Sequence, residues 1–242
     1  MAPDYSIIVP AYNEETFLPA TLARLNDVMV RVNGHQGEII VTDNNSTDRT
    51  ADVARCLGAR VVFEPDRQIA RCRNAGAKAS HGRYLVFVDA DTLISTALLS
   101  GALEALDSDR YCGGGALIAV SPDIGFAASS GLKLWNRLSR TCKWACGSFV
   151  FCRRDAFFDV AGFDERYYAS EEIHLSRALK QWGRRNGFDF LILDETLETS
   201  LRKFEWFSTG QIVLLLLKLA VCPFLLRSRR ACHFWYDRPE IK

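Results

Sequence analysis

Two carboxylates separated by one small residue, Asp89-Ala90-Asp91, stand directly after the apolar run Tyr84–Val88. Hard cations such as Mg²⁺ or Mn²⁺ take oxygen ligands, often one or two carboxylates together with phosphate oxygens. At the mouth of a sheet the pair can share such a cation with a diphosphate; the plain alternative is a solvated turn capping the next helix. A second pair, Glu171-Glu172, opens a helical pattern that carries His174 one turn in. Carboxylates there either complement the helix dipole, or one of them is a general base toward a hydroxyl nucleophile. His174 reads as a surface or supporting residue.

Three more stretches could contribute. Pro10-Ala11-Tyr12-Asn13-Glu14 follows the run Ser6–Pro10, and Tyr12 could pack on a flat base; the alternative is a Pro-stiffened turn with Asn13 as helix cap. Asp43-Asn44-Asn45-Ser46-Thr47-Asp48 follows Glu38–Thr42 and can bond a nucleobase or ribose. Thr47 and Asp48 there suit an ordinary turn and cap, which leaves Asp43 as the better ligand candidate. Arg67, Arg71 and Arg73, with Asn74, surround the start of a helical pattern, where cations suit a phosphate. At least one of these arginines belongs to a solvated basic face.

These loops need elements to hold them. Short β-branched runs at Ser6–Pro10, Glu38–Thr42, Arg60–Phe63 and Tyr84–Val88 alternate with helical patterns at Glu14–Val32, Asp48–Leu57 and Gln68–Ser80. Alternation of this kind implies right-handed crossovers and a mostly parallel sheet. Ligands of such sheets bind at the carboxyl ends of the strands, so the three polar loops should meet in one crevice. The second half is less regular. Helices are predicted at Thr96–Leu106 and Glu172–Trp182, and strands at Leu117–Val120, Phe149–Cys152 and Phe188–Leu193.

The chain has 242 residues, a net charge of +1, and 48% hydrophobic residues. This composition excludes a disordered chain and a surface built throughout for nucleic acid. The charge is unevenly divided: residues 201–242 carry +5 and residues 1–200 carry −4. The eight cysteines are scattered and read as buried thiols in a reducing compartment. No signal-peptide pattern opens the sequence, so the body is expected in the cytoplasm.

The division expected is residues 1–205 as the main α/β domain and residues 206–242 as a basic, apolar, helical tail. Ile212–Leu226 is apolar but interrupted by Lys218 and Pro223, and a spanning helix needs about 20 apolar residues. An interfacial helix or hairpin is favoured, since Arg227, Arg229 and Arg230 follow at once and Phe234-Trp235-Tyr236 form an interface-type aromatic cluster. A full span, or a helix buried against the domain or a partner chain, stays open. The expected contact with the inner face of a membrane runs through residues 212–236.

The stretches SIIVPAYNEE, VTDNNSTDRTADVA, ARCRNAGAKASHGRYLVFVDADT and ACGSFVFCRRDAFFDVAGFDERYYASEEIHLSRAL, in this order, resemble the family-2 glycosyltransferases of GT-A fold. The resemblance implies a Rossmann-like, mostly parallel sheet flanked by helices. It also implies metal-assisted, inverting transfer of a hexosyl or related group from a nucleotide-diphosphate sugar to a hydroxyl acceptor. A lipid-linked acceptor or cell-envelope glycan fits the tail. The implied donor site comprises Pro10, Tyr12, Glu14, Asp43, Asn44, Arg71, Asp89, Ala90 and Asp91, with Asp91 and Asp89 as ligands of Mg²⁺ or Mn²⁺. Asn44 stands where the family usually has Asp. The acceptor-side motif is usually Glu-Asp; here Glu172 takes the base role by position, and Glu171 competes for it. Gly147 and Ser148 resemble the acceptor-side floor, and Thr199-Ser200, before Arg202-Lys203-Phe204, a segment near the diphosphate.

Two other classes compete. One is a non-catalytic sugar-nucleotide binder or assembly subunit, against which the intact carboxylate pairs argue. The other is an aspartyl phosphatase, since FVDADT resembles the nucleophile loop of haloacid-dehalogenase-like enzymes. That loop normally follows the first strand, here it follows the fourth, and Leu93 stands in place of Thr or Val. The absence of GxGxxG after the first strand disfavours a dinucleotide oxidoreductase.

Overall fold

A computed structural model describes residues 2–120, 125–200 and 209–236. The strands are β1 (Tyr5–Ala11), β2 (Gly37–Asp43), β3 (Arg60–Phe63), β4 (Tyr84–Val88), β5 (Thr92–Leu93), β6 (Tyr111–Ile118), β7 (Phe149–Arg153) and β8 (Asp189–Thr199). The helices are α1 (Leu18–Arg31), α2 (Thr50–Cys56), α3 (Ile69–Ala79), α4 (Thr96–Asp107), α5 (Gly125–Cys142), α6 (Arg154–Asp159), α7 (Glu171–Asn186), α8 (Thr209–Val221) and α9 (His233–Tyr236). A 3₁₀ turn covers Pro223–Arg227.

The sheet order is β3-β2-β1-β4-β7-β6-β8-β5. β1 pairs in parallel with β2 and β4, and β2 with β3. β7 is antiparallel to both β4 and β6, β8 is parallel to β6, and β5 is antiparallel to β8. Thus β7 and β5 alone among these strands oppose the common direction, and the expected mostly parallel sheet is present.

Period-two alternation buries both faces of the central strands. Ile7, Val9, Val86 and Val88 join one core with Leu22 and Leu25 of α1 and Leu99 and Leu103 of α4. Ile8, Leu85 and Phe87 face a second core with Ala77 of α3, Phe157, Phe163 and Leu179. α4 starts where the Ser95 hydroxyl accepts the Leu98 N–H at 3.0 Å, a side-chain cap. α7 ends at Gly187, whose φ of +80° suits a residue without Cβ.

The structure departs from the sequence reading in the second half. β6 occupies Tyr111–Ile118, starting six residues before the predicted strand. Its Gly113-Gly114-Gly115 run is where backbones close up. A Cβ on Gly114 would collide with the Leu191 carbonyl and the Phe151 ring, and one on Gly115 with Ala145. α5 and α6 were not predicted. The proposed boundary at residues 205/206 lies outside the described residues, as do Arg202, Lys203 and Phe204.

Candidate active site

The carboxyl ends of β1, β2 and β4 deliver the three polar loops to one side of the sheet. A cleft of about 360 Å³ opens there. It is lined by Pro10, Tyr12, Glu14, Asn44, Asp89, Ala90, Asp91, Glu171 and Glu172, all expected from the sequence, and by Gly147 and Ser148. Two expected donor residues are elsewhere. Asp43 is buried and its Oδ1 accepts the Ser46 N–H at 3.1 Å, bracing the turn. Arg71 pairs with Asp66 at 2.8 Å and Glu165 at 3.4 Å, outside the lining of this cleft.

Arg73, two residues further on, lines the cleft. Two residues apart on a helix means about 200° of rotation, so the two side chains leave α3 on nearly opposite sides. Arg73 is 3% exposed. Its Nη1 donates to Glu171 Oε1 at 2.7 Å, and its Nη2 donates to Asp89 Oδ1 at 2.8 Å and to the Gly147 carbonyl at 2.8 Å. A Cβ on Gly147 would come within 3.2 Å of Nη2; glycine there leaves room for the guanidinium. Burial alone would lower the Arg73 pKa, but Asp89, Glu171 and Glu172 more than reverse this and raise it. The arginine is therefore a permanent cation between the two carboxylate pairs.

Glu171 and Glu172 begin α7, after Ser170 in the left-handed region at φ +61°. They differ in environment. Glu171 is 4% exposed and held by Arg73. Glu172 is half-buried, and its pKa is raised well above the ordinary carboxylate range, first by burial and then by the charge of Glu171. His174 turns away and stacks on Tyr167, with ring centroids 3.9 Å apart. Its pKa is lowered by burial and then by Arg177.

The first two loops are laced together. Asn13 Oδ1 accepts the Thr47 N–H at 2.8 Å, and the Asn13 N–H donates to Ser46 Oγ at 3.0 Å. Asn13 is no helix cap, because α1 begins only at Leu18. Asn44 Nδ2 donates to the carbonyls of Glu64 and Asp66, at 3.1 and 2.6 Å, and so pins the loop between β3 and α3. The Arg67 guanidinium lies over the Tyr12 ring, 3.7 Å from its centroid; that ring face, expected for a base, is covered by a cation.

The C-terminal segment supplies residues that the sequence reading placed elsewhere. Trp235 and Tyr236 line the cleft. The Tyr236 hydroxyl accepts the Ile69 N–H at 3.3 Å, its ring meets Tyr168 edge-on, and Cys232 is buried beside them. The Tyr168 N–H donates to the Leu226 carbonyl at 2.8 Å. Part of the predicted interfacial aromatic cluster is thus spent on the domain. α5 adds Leu132 and Trp135 to the lining. These aromatic residues carry no motif, and no spacing rule would have found them.

Among the described residues no group of three or more His, Cys, Asp or Glu forms a metal cluster. Mg²⁺ usually keeps several waters and takes one or two carboxylates plus substrate phosphates. Asp89 and Asp91, both on the cleft, are the donor set that such a shared site requires, and Asp89 Oδ2 is not the oxygen engaged by Arg73. The residues present fit a divalent cation bound together with a diphosphate.

The architecture is the GT-A fold, shared with solved glycosyltransferases. The mannosyltransferase PcManGT from Pyrobaculum calidifontis, in complex with GDP-Man and Mn²⁺, superposes with a TM-score of 0.65 at 16% identity, over 97% of this chain and 70% of that one. TarS 1-349 of S. aureus, in complex with UDP-GlcNAc, gives 0.61 at 19%, over 82% and 58%. The family description "Glycosyl transferase family 2" matches residues 6–165, and the chain belongs to that family. A PGL/p-HBAD biosynthesis glycosyltransferase of Mycobacterium tuberculosis is 28% identical over 179 residues, which is 69% of this chain and 65% of that protein. Matches to the first curated relatives span between 32% and 65% of their length.

Proposed function

We propose that this protein transfers a sugar from a nucleotide-diphosphate sugar to an acceptor hydroxyl with inversion, using Glu172 as base. The observation that carries this reading is that Asp89, Asp91 and the half-buried Glu172 line one cleft, with Arg73 bridging Asp89 and Glu171. A base is more effective as its pKa approaches the working pH, and the raised pKa of Glu172 moves it that way. Glu171 is committed to Arg73, which favours Glu172 of the adjacent pair.

In this mechanism Glu172 takes the proton of the acceptor hydroxyl as its oxygen bonds to the anomeric carbon. The bond from that carbon to the diphosphate oxygen breaks on the opposite face, so the configuration inverts. Mg²⁺ or Mn²⁺, held by Asp91 and Asp89, would supply charge stabilisation to the departing diphosphate. Arg73 fixes Asp89 and Glu171 relative to one another, so the donor end and the acceptor end are set by one side chain.

A lipid-linked acceptor for cell-envelope glycan synthesis fits the tail, and the protein would sit peripherally on the inner face of the membrane. Leu214, Leu217, Val221 and Phe224 are exposed, with Lys218, Arg227, Arg229 and Arg230 also exposed. Among the described residues no helix is long and apolar enough to cross a membrane.

The test is a thermal-shift panel of nucleotide diphosphates and their sugars with Mg²⁺ or Mn²⁺, followed by transfer assays on hits. A tight donor raises the melting temperature by mass action. No shift with any donor would overturn the reading. Donor binding without transfer across soluble and lipid-linked acceptors would leave a sugar-nucleotide-binding subunit.

A further inference from the structure

The α5 helix carries a surface that the reaction does not use. Its inner side is committed: Leu132 is buried, Trp135 lines the cleft, and Ser139 is fully buried. Asn136 bonds both the N–H and the carbonyl of Ile118, at 3.1 and 2.8 Å, and docks the helix on the end of β6. The outer side is different. Leu134 is 59% exposed and Leu138 is 39% exposed. They stand four residues apart, as do Lys133 and Arg137, so the four side chains form one contiguous stripe. Lys133 and Arg137 are exposed. No acidic residue occurs from Gly125 to Lys143.

Exposed leucines interleaved with cations, with no anion on the helix itself and Asp194 of β8 engaged by Arg140 at 2.8 Å, complement a surface that is apolar beneath and anionic on top. A phospholipid headgroup layer has that structure: leucines enter the acyl boundary while Lys and Arg reach the phosphates. We infer that α5 is a docking helix for an anionic lipid bilayer, with Lys133, Leu134, Arg137 and Leu138 as the contact. The position of the helix gives this contact a purpose. The same helix lines the cleft through Trp135, as the C-terminal segment does through Trp235, so docking α5 brings the cleft mouth to the headgroup region, where a lipid-linked hydroxyl would be presented.

This inference deepens the reading of a lipid-linked acceptor and rests on it only for its purpose. The test uses no donor and no acceptor, so the two can fail separately. Full-length protein is sedimented with phosphatidylcholine vesicles, and with vesicles in which part of the lipid is phosphatidylglycerol. The wild type should partition to the phosphatidylglycerol vesicles and be released by salt. K133A/R137A should weaken partitioning on the order of 30-fold, from loss of two surface cations, and L134S/L138S should weaken it also. All four positions are solvent-exposed, and an unchanged melting temperature checks that the variants fold.

A tail variant, L214S/L217S, separates the two surfaces. Loss in the α5 variants with an unchanged tail variant supports docking through α5 and removes the tail from the contact. Wild-type partitioning by the α5 variants overturns the inference, as does partitioning that ignores phosphatidylglycerol. Failure of the wild type to sediment with either vesicle also overturns it, and would point to an acidic protein or a second copy of the chain.

Discussion

Arg73 and Glu171, ninety-eight residues apart in sequence, form an ion pair of 2.7 Å in which the two side chains are 3% and 5% exposed. Removing one member of a buried pair leaves the other charged without compensation, which costs about 3–5 kcal/mol. Arg73→Ala should therefore lower the melting temperature strongly and abolish sugar transfer. Arg71→Ala breaks only partly exposed pairs and should cost less than about 1 kcal/mol. Thermal denaturation of the two variants side by side checks this; equal losses would contradict the placement of Arg73.

The two adjacent carboxylates of α7 should separate in kinetics. Glu172→Gln should lower the transfer rate by roughly 100- to 10,000-fold, the range for losing a general base, while leaving donor binding intact. The wild-type rate should fall as pH decreases through the Glu172 pKa, which is raised above 4.5. The acid limb should thus lie at higher pH than for an ordinary glutamate, and should vanish from the residual activity of Glu172→Gln. A limb unmoved by that substitution would assign the base elsewhere.

The same raised pKa predicts an effect on stability with a definite sign. A folded-state carboxyl pKa above the unfolded value means that the native state binds the proton more tightly. Stability is then undiminished below about pH 4.5, declines as pH rises toward the raised value, and stays reduced above it. Glu172→Gln removes the penalty. Its melting temperature should exceed that of the wild type increasingly as pH rises, with little difference at pH 4, as measured by denaturation across a pH series.

Asp91→Asn and a chelator should act on one process. Chelation should suppress transfer by the wild type, and added Mn²⁺ or Mg²⁺ should restore it. Asp91→Asn should be nearly inactive and respond little to either treatment. Full activity of the variant in the presence of chelator would remove the cation from the mechanism.

Much of this site was legible in the sequence, because its loops sit at the ends of strands that announce themselves. The PAYNEE and DADT stretches each follow a β-branched or aromatic run, and topology alone sends such strand ends to one crevice. What escaped depends on rotation and on distant packing. Choosing Arg73 over Arg71 requires the phase of α3, which a two-residue spacing reverses. The glycines of β6 give no local strand signal, and their reason appears only in the space that the Phe151 ring and the Leu191 carbonyl take. Trp235 and Tyr236 read as an interfacial cluster because nothing local reveals that the chain returns to Ile69 and Tyr168.

That return gives a prediction of its own. Tyr236→Phe removes the acceptor of the Ile69 N–H and should cost about 1 kcal/mol. Trp235→Ala should lower the melting temperature modestly, since its half-buried ring packs on the Ala169, Cys232 and Tyr236 cluster, and should alter KM for donor or acceptor. Unchanged KM values for both substrates would make the tryptophan a bystander.

The two-residue strand β5 has a mechanical consequence. It follows Asp91 directly, pairs with the last two residues of β8, and is reinforced by Thr92 Oγ1 donating to Thr199 Oγ1 at 3.0 Å and by the Ser200 N–H donating to the Asp91 carbonyl at 3.2 Å. The polypeptide runs on from there toward α8. The backbone on the C-terminal side of the carboxylate loop is thus tied to the end of β8 and is not left as a free turn, so a displacement of that strand end is passed directly to Asp91.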